Sequence, residues 1–181
     1  EIRLVCISSF YYHKNLGIIN KIASILKARG LDNIRFVLTL PEDSFQNEFN
    51  DEAKRIIYNV GPVKVNECPS LYRECDMLFL PTLLECFSAS YPEAMLMEKP
   101  ILTSDMSFAR TVCRDAAVYF DPMNPNNIID KIEMLVNSKE IQNELIEKGK
   151  ERVRHFNSAT KRAEAYLKIC ESYARNGSGK F

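Results

Sequence analysis

Short runs of apolar and β-branched residues, each followed by a longer amphipathic or polar stretch, recur through the chain as far as Pro122. The run that most limits the fold is "DMLFLPT", residues 76–82, which is apolar without interruption and of strand length. A strand with one wet face alternates apolar and polar side chains. An unbroken run belongs where both faces are covered, as in a parallel sheet between helix layers. "IRLVCIS", "NIRFVLTL", "IIYNVG", "PILTSD" and "AAVYFDP" are the other strand candidates. Between them, "NLGIINKIASILKARG" carries Leu16, Ile19, Ile22, Ala23 and Leu26 at helical spacing, with Gly30 as its stop. Pro41 ends the second strand, a polar helix follows, and "CPSLYREC" reads as one or two helical turns. A helix is predicted over Pro92–Glu98, with proline in the first turn where a missing N–H costs nothing. "FARTVC" is a short helix, and three amphipathic helices cover roughly 126–137, 139–155 and 158–175. Met95, Met97 and Met134 fall at helical spacing and are expected in the core.

Strand and helix alternating in this order predict an α/β fold, a Rossmann-like parallel sheet with helices on both faces. The 181 residues are enough for one ordinary domain with a real core, and no stretch approaches a membrane span. Lysine plus arginine balance aspartate plus glutamate at 24 each, so no nucleic-acid partner is advertised. Cys6, Cys68, Cys75, Cys86, Cys113 and Cys170 form no C-x-x-C pair and read as reduced thiols of a cytoplasmic protein. His13 and His155 lie far apart, and no metal site is expected. The dinucleotide fingerprint G-x-G-x-x-G, the P-loop and the G-x-S-x-G elbow are all absent, which argues against an oxidoreductase, a P-loop NTPase or an α/β-hydrolase.

In open parallel sheets ligands bind outside the carboxyl ends of the strands. That rule directs attention to Ser8–Asn15, Thr39–Asp43, Gly61–Asn66, Thr82–Pro92 and Ser104–Phe108. One of these holds "LLECFSASYPEAM", where Glu85 and Glu93 bracket a loop of small and hydroxyl residues at the mouth of a helix. Taken alone, Glu85 reads as a loop carboxylate and Glu93 as a first-turn residue stabilised by the helix dipole. Lys14 beside a helix start reads as a solvated cation, His13 as its surface neighbour, and His155 as a cation at a helix C-terminus.

In its wider setting the segment has a counterpart. "LYRECDMLFLP", "LPTLLECFSASYPEAM", "KPILTSD" and "AAVYFDPMNPNNIIDKI" occur in the order found in the C-terminal domain of the family-4 retaining glycosyltransferases of GT-B fold, the glycosyl transferases group 1. There the central segment reads approximately L-P-S-x-x-E-G-F-G-x-P-x-x-E-A-M. "HKN" after the first strand resembles the family's basic K-N. The resemblance implies the C-terminal half of a GT-B architecture, with residues 1–175 as a nucleotide-sugar donor domain and 176–181 as a disordered tail. An N-terminal acceptor domain is expected to precede Glu1. The chain departs from the pattern at Cys86 and Ser88, where the family has glycines, and at Ser9, where it has an arginine.

The implied chemistry follows the parts of the donor. No cofactor is expected; the donor substrate is a UDP- or GDP-sugar. Phe87, Ser88, Ala89 and Ser90 cradle its diphosphate at the helix mouth. Lys14 stabilises the departing diphosphate, and Glu85 holds hydroxyls of the sugar. Glu93 takes the ribose diol, while Thr39–Pro41 and Gly61–Val63 line the nucleoside side. The acceptor, a glycan or a lipid-linked sugar of surface-polysaccharide synthesis, is bound mainly by the N-terminal domain. Peripheral membrane association of the longer protein is an expectation, although the basic residues near Glu147–Arg154 read more simply as a solvated helix face. Two rivals remain: a non-catalytic nucleotide-sugar binder, and a glycoside hydrolase using Glu85 and Glu93.

Overall fold

A computed structural model describes residues 1–176 and begins on a central strand. β1 (Ile2–Cys6) is followed by a 3-10 turn at Tyr12–Lys14, α1 (Ile18–Ala28), β2 (Ile34–Leu38), α2 (Glu42–Glu48), α3 (Asp51–Lys54) and β3 (Ile57–Asn59). Then come α4 (Cys68–Arg73), β4 (Met77–Leu80), α5 (Ser90–Leu96), β5 (Ile101–Ser104), α6 (Ser107–Cys113) and β6 (Val118–Phe120). The remaining helices are α7 (Pro125–Val136), α8 (Lys139–Val153) and α9 (Ala159–Asn176). The six strands form one sheet in the order β3-β2-β1-β4-β5-β6, every neighbouring pair parallel.

Right-handed crossovers send the helices after β1 and β2 to one face and those after β3, β4 and β5 to the other. Packing agrees: α1 touches α3 and α7, and α5 touches α8. The α/β expectation therefore holds, and "MLFL" of β4 is buried along its whole length between the layers. On α1 the predicted stripe Ile19, Ile22, Ala23 and Leu26 is buried. Its end is a Schellman motif: Gly30 N–H bonds Lys27 O at 3.1 Å, Leu31 N–H bonds Leu26 O at 2.9 Å, and Gly30 takes φ +69°. Met95 is buried, and Met97 and Met134 pack against the core.

Three boundaries differ from the sequence reading. The polar helix after Pro41 is two helices, because Phe49 is extended and Asn50 starts α3 by accepting a bond from Ala53 N–H at 2.8 Å. α5 begins at Ser90 rather than Pro92, so the proline is its third residue, where the backbone N–H is still unneeded. α9 runs through Asn176, so the expected tail at 176–181 lies, beyond that residue, outside the described residues. The side chains of α9 are exposed from Ala159 to Ala174, Tyr166, Leu167, Ile169 and Tyr173 among them.

Candidate functional site

β1 and β4 are neighbours whose crossovers leave in opposite directions. This is the topological switch point, and it opens a crevice at their carboxyl ends. The loop after β1 brings Lys14 to it and the loop after β4 brings Glu85. The Lys14 ammonium donates to Glu85 Oε1 across 71 positions of sequence, with the side chains only 19% and 11% exposed. The loops are also joined through their backbones: His13 O accepts from Leu83 N–H at 2.7 Å and from Thr82 Oγ1 at 3.1 Å.

Local chemistry explains why Lys14 sits there. Asn15 closes the 3-10 turn in the left-handed conformation, φ 54°, which asparagine tolerates better than most residues. Its side-chain N–H bonds Pro122 O at 2.9 Å, tying the loop to the end of β6. Beneath the pair lies Cys6, whose thiol burial pushes up to about 12. It stays protonated at neutral pH and offers no thiolate nucleophile.

Beyond Glu85 the loop runs through Cys86, Phe87, Ser88 and Ala89 into α5. Cys86 and Ser88 adopt no left-handed backbone; among the described residues that conformation occurs outside glycine only at Asn15, Glu98 and Arg114. The absence of glycine therefore costs this loop no strain. Ser88 and Ser90 are buried, while Cys86, Phe87 and Ala89 face outward. The first turn of α5 is anchored from below. Tyr91 hydroxyl lies 2.9 Å from Thr103 Oγ1, which donates to Leu80 O at 3.0 Å. That bond occupies the carbonyl at the end of β4.

Glu93 faces a different partner from Glu85. The hydroxyl of Tyr72, on α4, lies 3.2 Å from Glu93 Oε2 and 3.4 Å from Ser90 O. Burial first, and then the adjacent Glu93 carboxylate, raise the Tyr72 phenol above its usual range, so it remains a donor. A hollow of about 220 Å³ lies against both, between α4 and α5. Tyr72→Phe is expected to leave the fold intact, costing about 1 kcal/mol of stability by urea unfolding. Affinity for any ligand resting on Glu93 should fall several-fold by calorimetry, since the carboxylate loses the bond that aims it.

Of the predicted residues, Lys14 and Glu85 are in contact, and Ser88, Ala89, Ser90 and Glu93 follow as one continuous rim. Phe87 borders the same groove as Ala89 and Glu93, its ring edge-on to Phe156 at 6.3 Å. Thr39, expected on the nucleoside side, has its hydroxyl engaged: it accepts from Ser8 N–H at 3.1 Å and donates to Ser8 O at 3.3 Å. Sequence reasoning assigned no role to Tyr72 or to the Asn15 anchor. The motif "LYRECD" was the available signal for the first, and no local pattern marks the second. Two of the basic residues of α8 are paired with carboxylates, and a third is bonded to backbone carbonyls. Lys148 meets Glu144 and Asp115, Lys150 meets Glu98 and Glu147, and Arg152 donates to Val112 O and Thr111 O. Among the described residues, no helix is long and apolar enough to cross a membrane.

A parallel sheet covered on both faces, with a cation–carboxylate pair at its switch point, defines a Rossmann-like domain, and solved structures of GT-B glycosyltransferases share its fold. The α,α-trehalose-phosphate synthase (UDP-forming) of Burkholderia vietnamiensis superposes with a TM-score of 0.81 at 13% identity, over 99% of this chain and 46% of that one. S. aureus TarM, solved as a mutant with fondaparinux, alpha-GlcNAc-glycerol and UDP, gives 0.78 at 18% identity, over 93% and 35%. The chain belongs to the glycosyl transferases group 1 family, whose model matches residues 1–152. Among curated relatives, a trehalose synthase of Pyrococcus horikoshii is 27% identical over 122 residues, covering 67% of this chain. The chain spans 29% of that relative's length.

Proposed function

We propose that residues 1–175 are the donor-binding domain of a retaining glycosyltransferase that uses a nucleotide-diphosphate sugar. The observation that carries this reading is the Lys14–Glu85 pair at the switch point, with Glu85 on the loop that leads into Ser88–Glu93 at the start of α5. An ammonium has three N–H donors. One meets Glu85, and the others are available to a phosphate oxygen whose charge grows as the glycosidic bond breaks. Glu85, acceptor-only when ionised, orients hydroxyls of the transferred sugar. Ser88, Ala89 and Ser90 admit the diphosphate close to the backbone, and Glu93, aimed by Tyr72, takes the ribose diol. Phe87 borders the cradle, its ring edge-on to Phe156.

In this reading the leaving phosphate helps to deprotonate the acceptor hydroxyl on the same face of the sugar, so the domain needs no nucleophile of its own. The acceptor, a glycan or lipid-linked sugar of surface-polysaccharide synthesis, rests mainly on a further domain of a longer cytoplasmic protein. Peripheral attachment of that longer protein to a membrane belongs to the same reading. UDP is the favoured donor nucleotide, because UDP is the nucleotide named for both structural neighbours. Membership of a transferase family, together with the pairing of Glu85 to a lysine, argues against the hydrolase alternative.

Calorimetric titration of the chain with UDP, GDP and ADP tests the reading. One nucleotide is expected to bind selectively, and Glu93→Ala should weaken it about tenfold, the worth of a charge-assisted hydrogen bond. Failure of all three to bind, with the protein folded, would contradict the donor assignment.

A further inference from the structure

The charges at the rim do not suit a diphosphate as they stand. Lys14 is balanced by Glu85, and Glu93 adds a second carboxylate, while Ser9 contributes no cation. An anionic ligand placed there meets one cation against two carboxylates. Positive charge must come from another element, and α4 faces Glu93 with the neutral Tyr72 whereas the segment after α8 brings basic side chains. A groove of about 890 Å³ has Phe87, Ala89 and Glu93 on one wall and His155 and Arg162 on the other.

The second wall belongs to the turn between α8 and α9, and it is anchored to the domain. The Arg152 guanidinium lies 4.9 Å from the centre of the Phe156 ring and bonds Val112 O at 2.7 Å. Phe156 in turn meets Phe87 of the rim edge-on. Arg162 is held in the first turn of α9 by its backbone N–H to Ser158 O at 2.9 Å. Its exposed guanidinium has no hydrogen-bond or ion-pair partner among the described residues. A planar fork of N–H donors is the side chain that best matches a phosphate, and it loses little on ordering when the backbone beneath it is already set.

We propose that Arg162, with His155 beside it, is the second cationic contact for the donor diphosphate, reaching it from the first turn of α9 across the groove. The inference rests on the donor reading of the same rim, and the experiment separates the two. Titrations compare the unsubstituted chain, Arg162→Gln and Arg162→Lys, each with UDP, UMP and uridine. Arg162→Gln is expected to weaken UDP about tenfold and to leave uridine unchanged, with Arg162→Lys recovering part of the loss. The dependence of UDP affinity on salt should also become shallower in Arg162→Gln. Equal UDP affinity in Arg162→Gln and the unsubstituted chain overturns the inference while the donor reading stands. An equal fall for UDP and uridine overturns it too, because it indicates a merely structural role. Absence of UDP binding to the unsubstituted chain overturns both.

Discussion

Replacing Lys14 with methionine is expected to damage both the fold and the chemistry, by separable amounts. The ammonium and Glu85 are mostly buried, so deleting one partner strands a carboxylate in a site that water reaches poorly. The stability cost should be about 2–3 kcal/mol, below the loss for a fully buried pair because the site is partly wet. Urea unfolding of Lys14→Met, Glu85→Gln and the double variant measures it. The double variant should recover most of the loss, since neither charge is then left alone. Catalysis should not recover with it. In a protein that joins this chain to the acceptor domain proposed above, transfer from the nucleotide sugar chosen by titration should fall about a hundred- to thousandfold in both Lys14→Met and the double variant, the usual effect of removing one group that stabilises developing charge. Transfer that returned along with stability would make Lys14 a structural residue alone.

The second large effect is expected in the core. Phe79, in the middle of β4, is fully buried and lies between two other rings. Its centroid is 5.1 Å from that of Phe36 on β2, edge-on, and 5.6 Å from that of Phe120 on β6, stacked. The three rings bridge strands that are not neighbours in the sheet, so the middle ring supports both halves of it. Phe79→Ala should cost about 3–5 kcal/mol, a large share of the 5–15 kcal/mol that stabilises a typical domain. Phe79→Leu retains most of the volume and should cost about 1–1.5 kcal/mol. Guanidinium or urea midpoints of the two variants provide the comparison. Phe79→Leu is also expected to keep its nucleotide affinity, because the rings lie below the site and not in it.

Particular residues show how far local pattern reaches. Ile19, Ile22, Ala23 and Leu26 repeat at helical spacing, and all are buried on α1. "MLFL" has no polar interruption, and both its faces are covered. Gly30 stops a helix as a glycine at that position should. Where a neighbour in space intervenes, local pattern misplaces the boundary. Proline suggests a start at Pro92, but α5 begins at Ser90, and Tyr91 in its first turn is buried and bonded to Thr103 on β5. The polar helix after Pro41 was read as one, but its break coincides with the burial of Phe49. The contact of Phe87 with Phe156, on a turn far away in the sequence, is likewise invisible to local pattern.

The order of amino acids determined by itself which segments are strands, which are helices and which loops stand at their carboxyl ends. Hydrophobic period and turn chemistry act over a few residues and are visible in the sequence directly. Only the folded sheet decided that Lys14 meets Glu85, that Tyr72 aims Glu93, and that Arg162 faces Ala89 and Glu93 from the first turn of α9. Those pairings depend on strand order, on the handedness of the crossovers and on how helices pack over the sheet. They are properties of the whole core, and no short stretch of sequence carries them.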